Sequence, residues 1–159
     1  MSMTANLLKV SEEKLAELQS DPALVSALVM DVIEGNVAAD DCLDLYKSWN
    51  ALDVLLNDGE PGAEADAVLG GTTIGEDLGY GPARMLDQNE VAQISTALAK
   101  VTQSEFESRF DVGKMEDVYS FHPEDAEDEW PIISDLFEEL QKFYATASDQ
   151  SYGMILYIV

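Results

Sequence analysis

The chain has 159 residues, 47% of them hydrophobic, and carries 32 Asp and Glu against 8 Lys and Arg, a net charge of −24. That length suits one domain with a sizeable core, and that apolar content excludes an intrinsically disordered chain. The charge repels nucleic-acid backbones and anionic membranes, so neither is expected as a partner, and it favours a basic protein, a polyamine or a divalent cation.

Cys42 stands alone, which rules out a disulfide within the chain and a zinc–thiolate cluster. No basic region followed by an apolar core opens the sequence, and no apolar run is long enough to span a bilayer, so a cytoplasmic location is expected. No cofactor is expected.

Met3 to Val10 reads as a strand with Leu7, Leu8 and Val10 turned inward. Ser11 caps a short helix, with Glu12 and Glu13 in the first turn where the helix dipole favours them. Asp21-Pro22 predicts the cap and first position of a second helix, whose apolar face runs from Leu24 and Val25 to Val32 and Ile33 and ends at Gly35. The spacing of Leu45, Trp49, Leu52 and Leu56 predicts a third helix from Cys42 to about Leu56. Asn57 to Gly62 is a polar break.

Ala67 to Leu69 is an apolar run that leads into Gly70-Gly71. Thr72 to Gly81 has no apolar period and reads as an ordered glycine-rich loop. It lacks the Lys-Ser/Thr of a P-loop and the G-x-G-x-x-G of a dinucleotide site, and Glu76 and Asp77 sit where an anion would dock. Arg84 is the only basic residue between Lys47 and Lys100. Pro82 to Leu86 reads as an extended piece entering a helix, with Asp87 and Glu90 forming a capping box.

That helix presents Val91, Ile94, Leu98 and Val101. Thr102 with Glu105 opens a further short helix through Phe106 and Phe110, and Asp111 caps the next turn. Tyr119 to Trp130 reads as a carboxylate-dense loop, Pro131 to about Thr146 as the last helix, and Met154 to Val159 as a terminal strand that pairs with the first. The fold class expected is α+β. It is a single domain over 1–159, with about six helices packed around a small, mainly antiparallel sheet that includes the N- and C-terminal strands.

Met3 to Val10, Leu43-Asp44-Leu45-Tyr46-Lys47-Ser48-Trp49, Gly79-Tyr80-Gly81-Pro82-Ala83-Arg84, Phe106 to Asp111 and Phe143-Tyr144 together resemble the YfbM-like family, small bacterial proteins with a domain of unknown function. The resemblance runs nearly end to end. It implies an α+β fold of one domain and no particular activity. A Trp-His-x-Leu-His pattern typical of the family is replaced here by Asn50 and Asp53, and a Tyr-Pro pair by His122-Pro123, so no catalytic residue carries over.

His122 is the only histidine, set among Glu124, Asp125, Glu127, Asp128 and Glu129 next to a proline, and it reads as a solvated loop residue. Cys42 reads as an inert thiol, because Asp40, Asp41 and Asp44 oppose any lowering of its pKa by a helix N-terminus. The acidic run lacks the alternation and glycine of a calcium loop. No catalytic residue and no metal ligand is assigned.

Two functional readings follow. The first is a non-enzymatic acidic binding protein for a basic protein partner, with an immunity-type inhibitor of a bacterial toxin as one concrete form. Its contact residues would be Glu124, Asp125, Glu127, Asp128, Glu129 and Trp130. From Met115 to Gln141 there are ten acids and no Lys or Arg, with aromatic residues interleaved. The alternative is a small-molecule-binding protein or enzyme with its site at the glycine-rich stretch 70–84, using Tyr80, Arg84, Glu76 and Asp77. A pocket there, with Arg84 reaching into it rather than tied up internally, would favour the alternative.

Overall fold

The two ends of the chain lie side by side at the centre of one sheet. In a computed structural model that describes residues 2–159, strand β1 (Ala5–Val10) pairs antiparallel with strand β5 (Gly153–Ile158), from Ala5 opposite Ile158 to Val10 opposite Gly153. All of β1 except Asn6 and all of β5 except Ile158 is buried. Such unbroken burial requires cover on both faces of the sheet. Three further strands complete it: β2 (Cys42–Asp44), β3 (Thr72–Asp77) and β4 (Pro82–Leu86), in the order β2-β1-β5-β4-β3, with every neighbouring pair antiparallel.

Alternation along the central strands divides the core in two. Leu8, Val10, Ile155, Tyr157 and Ala83 point to one face, where Leu15 and Leu18 of α1 (Glu12–Ser20) and Val25 and Val29 of α2 (Leu24–Ile33) cover them. Leu7, Met154, Leu156 and Leu86 point to the other face and a larger core. That core is closed by α3 (Trp49–Leu56), α4 (Gln88–Lys100), α5 (Gln103–Ser108) and α6 (Ala126–Asp149). The chain is therefore α+β, with six helices around a five-stranded antiparallel sheet that holds both terminal strands.

The capping signals act as the sequence predicts. Ser11 Oγ accepts from Lys14 N–H at 3.1 Å, and Asp87 and Glu90 exchange side-chain bonds to each other's backbone at 2.8 and 3.2 Å. Thr102 Oγ1 takes Glu105 N–H at 3.1 Å.

Four expected boundaries differ. The second helix starts at Leu24, not Pro22: Asp21 closes α1 through its N–H to Glu17 C=O, and its own C=O takes Leu24 N–H in the turn that follows. Pro22 then lies in the turn between the two helices. The third helix starts at Trp49. Cys42 to Asp44 forms strand β2 instead, since Leu43 faces Leu7 and Leu45 N–H reaches Ala5 C=O. Leu45 keeps its buried place from a turn outside the helix.

Thr72 to Asp77 is a strand rather than a loop. Only Ile74 in it is buried, and a register shift falls between Ile74 and Asp77, so no alternation survives to be read. Gly71 permits the hairpin: its φ is +88°, and a Cβ there would lie 2.4 Å from Met85 O. The last helix starts at Ala126 rather than Pro131, which places Glu127 to Glu129 in its first turn at the positive end of the dipole. Pro131 sits inside it and forgoes the bond to the Glu127 carbonyl. Tyr144 is the residue this helix buries at that level, and Phe143 beside it is half-buried.

Tyr144 is wholly buried, and its hydroxyl donates to Ala67 C=O at 2.6 Å, which ties α6 to the segment before β3. Burial, and then the charge of Asp66, push its pKa up, so it stays a neutral donor. Tyr144→Phe leaves a buried carbonyl unpaired and is expected to cost about 1–3 kcal/mol in urea unfolding. An unchanged midpoint would mean that water replaces the hydroxyl.

Candidate functional site

Strand β4 lies between β5 and β3, and Arg84 stands opposite Leu156 on one side and Thr73 on the other. Arg84 shares its face of the sheet with Leu86 and Leu156, but only strand and turn residues, none from a helix, line the space beside it. A cavity of about 210 Å³ remains, lined by Arg84, Tyr80, Pro82, Leu69, Leu156 and Ile158 among others. Val68 and Leu69 form one wall, held in place through Ala67 by Tyr144.

Arg84 is half-buried, yet the five ion pairs among the described residues leave it out. In a chain with 32 acids, this withdrawn cation has no carboxylate beside it. Its guanidinium offers a planar, two-pronged donor that carboxylate and phosphate groups match. The other lining side chains are mostly apolar, and Tyr80 adds an aromatic ring and a hydroxyl at the mouth, 40% exposed.

Tyr80 is carried on the tip between β3 and β4, flanked by Gly79 and Gly81 at φ +115° and +99°. Asp77 builds that tip. Its Oδ1 accepts from Gly79 N–H at 2.6 Å and from Gly81 N–H at 3.3 Å. Of the four residues proposed for a site here, Tyr80 and Arg84 thus meet at the cavity. Glu76 and Asp77 are exposed on β3 and do not line it, and Asp77 is spent on the turn.

The acidic run is arranged differently from a set of aromatic anchors among charges. Glu124, Asp125, Glu127 and Asp128 are exposed. Glu129 is half-buried and turned back onto His122, taking the Nδ1 proton at 2.8 Å and the backbone N–H at 3.2 Å. That hydrogen bond holds the imidazole pKa above its usual value. Trp130 is half-buried against Phe110 and Phe106, at ring separations of 4.6 and 5.7 Å. Phe106 stacks on Phe137 in turn, at 4.0 Å. The exposed apolar residue in this region is Ile132. Ligand atoms of His122, Asp125 and Glu129 lie within 4.8 Å of one another, an open group at the surface that sequence spacing did not point to.

Cys42 lies in strand β2 and not in the first turn of a helix. Burial, and then Asp41, push its thiol pKa up, away from reactivity.

These elements belong to a known family. The family model for a domain of unknown function, DUF1877, matches residues 1–157. The chain is a member of the DUF1877 family. Its fold is that of YfbM from Escherichia coli, whose crystal structure is described as that of a protein of unknown function. The two chains are 19% identical with a TM-score of 0.70, over 98% of this chain and 99% of that one. No curated protein matches the sequence. No helix among the described residues is long and apolar enough to cross a membrane.

The two positions where the YfbM-like pattern has histidine do structural work in this DUF1877 chain. Asn50 Oδ1 takes Tyr119 N–H at 2.8 Å. Asp53 is half-buried beside Asn57, whose amide donates to its carboxylate at 3.2 Å and to its carbonyl at 2.8 Å. Burial raises the Asp53 pKa to about 6, with Asn57 opposing and Asp66 adding to the shift. A raised carboxyl pKa means that the folded chain holds the proton more tightly than the unfolded chain does. The contribution of Asp53 is therefore unfavourable at neutral pH and is relieved as the pH falls through about 6 towards its ordinary 3.8. Asp53→Asn is expected to melt higher than the parent at pH 7, with the gap closing by about pH 4.5. A gap independent of pH would show that the charge of Asp53 is not what costs stability.

Proposed function

We propose that this protein binds a small anionic organic molecule in the Arg84 cavity. The observation that carries the reading is a half-buried arginine, without a carboxylate partner among the described residues, lining a cavity whose other lining residues are mostly apolar. Such a group is costly to desolvate unless something pairs with it. A cavity of about 210 Å³ is of a size to take a short-chain carboxylate. The net charge of −24 opposes the approach of any anion, so the affinity is modest.

A second reading is a basic protein partner, of which a toxin inhibited in immunity fashion is one form. It is supported by the exposed Glu124, Asp125, Glu127 and Asp128 and by the exposed Ile132 one turn further along α6. With Trp130 turned inward, that patch lacks the aromatic anchor that a tight interface would use.

The first reading is tested by titrating straight-chain carboxylates from acetate to octanoate, and inorganic phosphate, into the protein by calorimetry. Affinity should rise about two- to fourfold per methylene up to about five carbons and then fall as the cavity fills. Arg84→Lys keeps the charge and loses the fork, and should weaken the best carboxylate about tenfold with no change in melting temperature. Equal affinities for parent and variant would sink the proposal.

A further inference from the structure

Strand β2 is an edge of the sheet, with β1 on one side and no strand on the other. Leu45 N–H and the Leu43–Leu7 pair point inward to β1. Antiparallel alternation therefore turns the N–H and C=O of Asp44 and the C=O of Cys42 outward. Cys42 N–H is taken by Ala39 C=O, so three outward groups stay open on this edge.

Two open grooves flank the strand. One, of about 560 Å³, is lined by Ile33, Val32, Tyr46, Asp44 and Glu139 among others. The other, of about 820 Å³, is lined by Phe143, Thr146, Asp40, Asp41 and Glu139 among others. Ile33 and Tyr46 are 57% and 59% exposed, among the most exposed large hydrophobic residues described. Tyr46 is held there at a φ of +51°, a strained setting for a tyrosine, with its N–H bonded to Asp44 Oδ1 at 2.7 Å. Exposed apolar anchors and unpaired carboxylates thus occur together here, which they do not at Trp130.

The charge of the grooves selects the occupant. Among the described residues, Asp40, Asp44 and Glu139 face them without a cation. The two cations present are already engaged: Lys9 by Gln150 at 2.8 Å and Asp41 at 3.7 Å, and Lys142 by Glu138 at 3.1 Å. A second copy of this chain would bring another −24 to the same edge, so edge-to-edge pairing of two copies is opposed.

We propose that the open edge of β2 pairs with an extended segment of a basic protein. Its backbone would bond Asp44 and Cys42, its lysine or arginine side chains would reach Asp40, Asp44 and Glu139, and an apolar side chain would lie against Ile33 and Tyr46. The inference rests on the basic-partner reading and not on the Arg84 cavity at the other side of the sheet, and it moves that partner's contact away from Glu124 to Glu129.

The probe is an acetylated hexapeptide of alternating lysine and valine, titrated into isotope-labelled protein and followed by amide NMR. Binding should perturb and protect the Asp44 amide. A peptide of the same sequence, N-methylated at alternate residues so that it keeps its charge but cannot pair, should bind about tenfold more weakly. Tyr46→Ala should weaken the unmodified peptide about fivefold without altering the melting temperature. Equal binding of the two peptides, or perturbations centred on Glu124 to Glu129, would overturn the edge while leaving a basic partner in place. No binding at low salt would remove both. Self-association through β2 in sedimentation would replace the basic partner with a second copy.

Discussion

The ladder between β1 and β5 is the constraint on which the other elements depend. It joins residues more than 140 positions apart, six on each strand, and both strands are buried on both faces. Neither helical layer has a surface to pack on until it forms, because α1 and α2 cover one side of the pair and α3, α4 and α6 the other. Pairing of such high sequence separation is slow and carries a large closure cost. It also means that the last few residues are core: Met154, Ile155 and Leu156 are as buried as any in the chain.

With β1 and β5 at the centre, the sheet has two unlike edges, and each generates one of the functional readings. The β3–β4 side is a hairpin whose tip is pinned by Asp77, and the cavity beside β4 is lined by strand and turn residues with no helix residue among them. The β2 side is only three residues long, a usual way to limit unwanted pairing, yet it is not blocked by a proline or by inward charge. A small ligand at one edge and an extended chain at the other would share one lining residue, Tyr157, which borders the Arg84 cavity and one of the β2 grooves.

Much of the architecture is legible in the sequence because the signals are local and strong. Ser11, Asp87 and Thr102 each satisfy a helix N–H within three residues, so their helices can be placed from the chain alone. The pairing of the first and last strands follows from their short, largely apolar sequences. What is not legible depends on distant partners. Cys42 to Asp44 becomes a strand only because β1 is beside it, and Asp21 closes α1 through Glu17 instead of capping α2. β3 escapes notice because an edge strand with one buried residue needs no apolar period. At the site, the pairing state of Arg84 is a negative property, the lack of a neighbour, which spacing cannot express. The inward turn of Trp130 depends on Phe106 and Phe110, which lie on a different element from the acids beside it.

The balance of charge bears on both readings at once. With 32 acids and 8 Lys and Arg, most carboxylates have no cation to meet, and the ion pairs seen are mainly exposed ones of small worth. A surface of this kind gains from any bound cation that lowers its self-repulsion, so a basic partner needs few specific contacts to be attracted and a defined edge to be selected. An anion meets the reverse problem: it must cross a repelling field to reach Arg84, and only burial beside an otherwise uncompensated guanidinium offsets that cost. Selectivity at the two edges would therefore have different origins. At β2 it would come from backbone geometry laid over a permissive field, and at Arg84 from one local charge set against it.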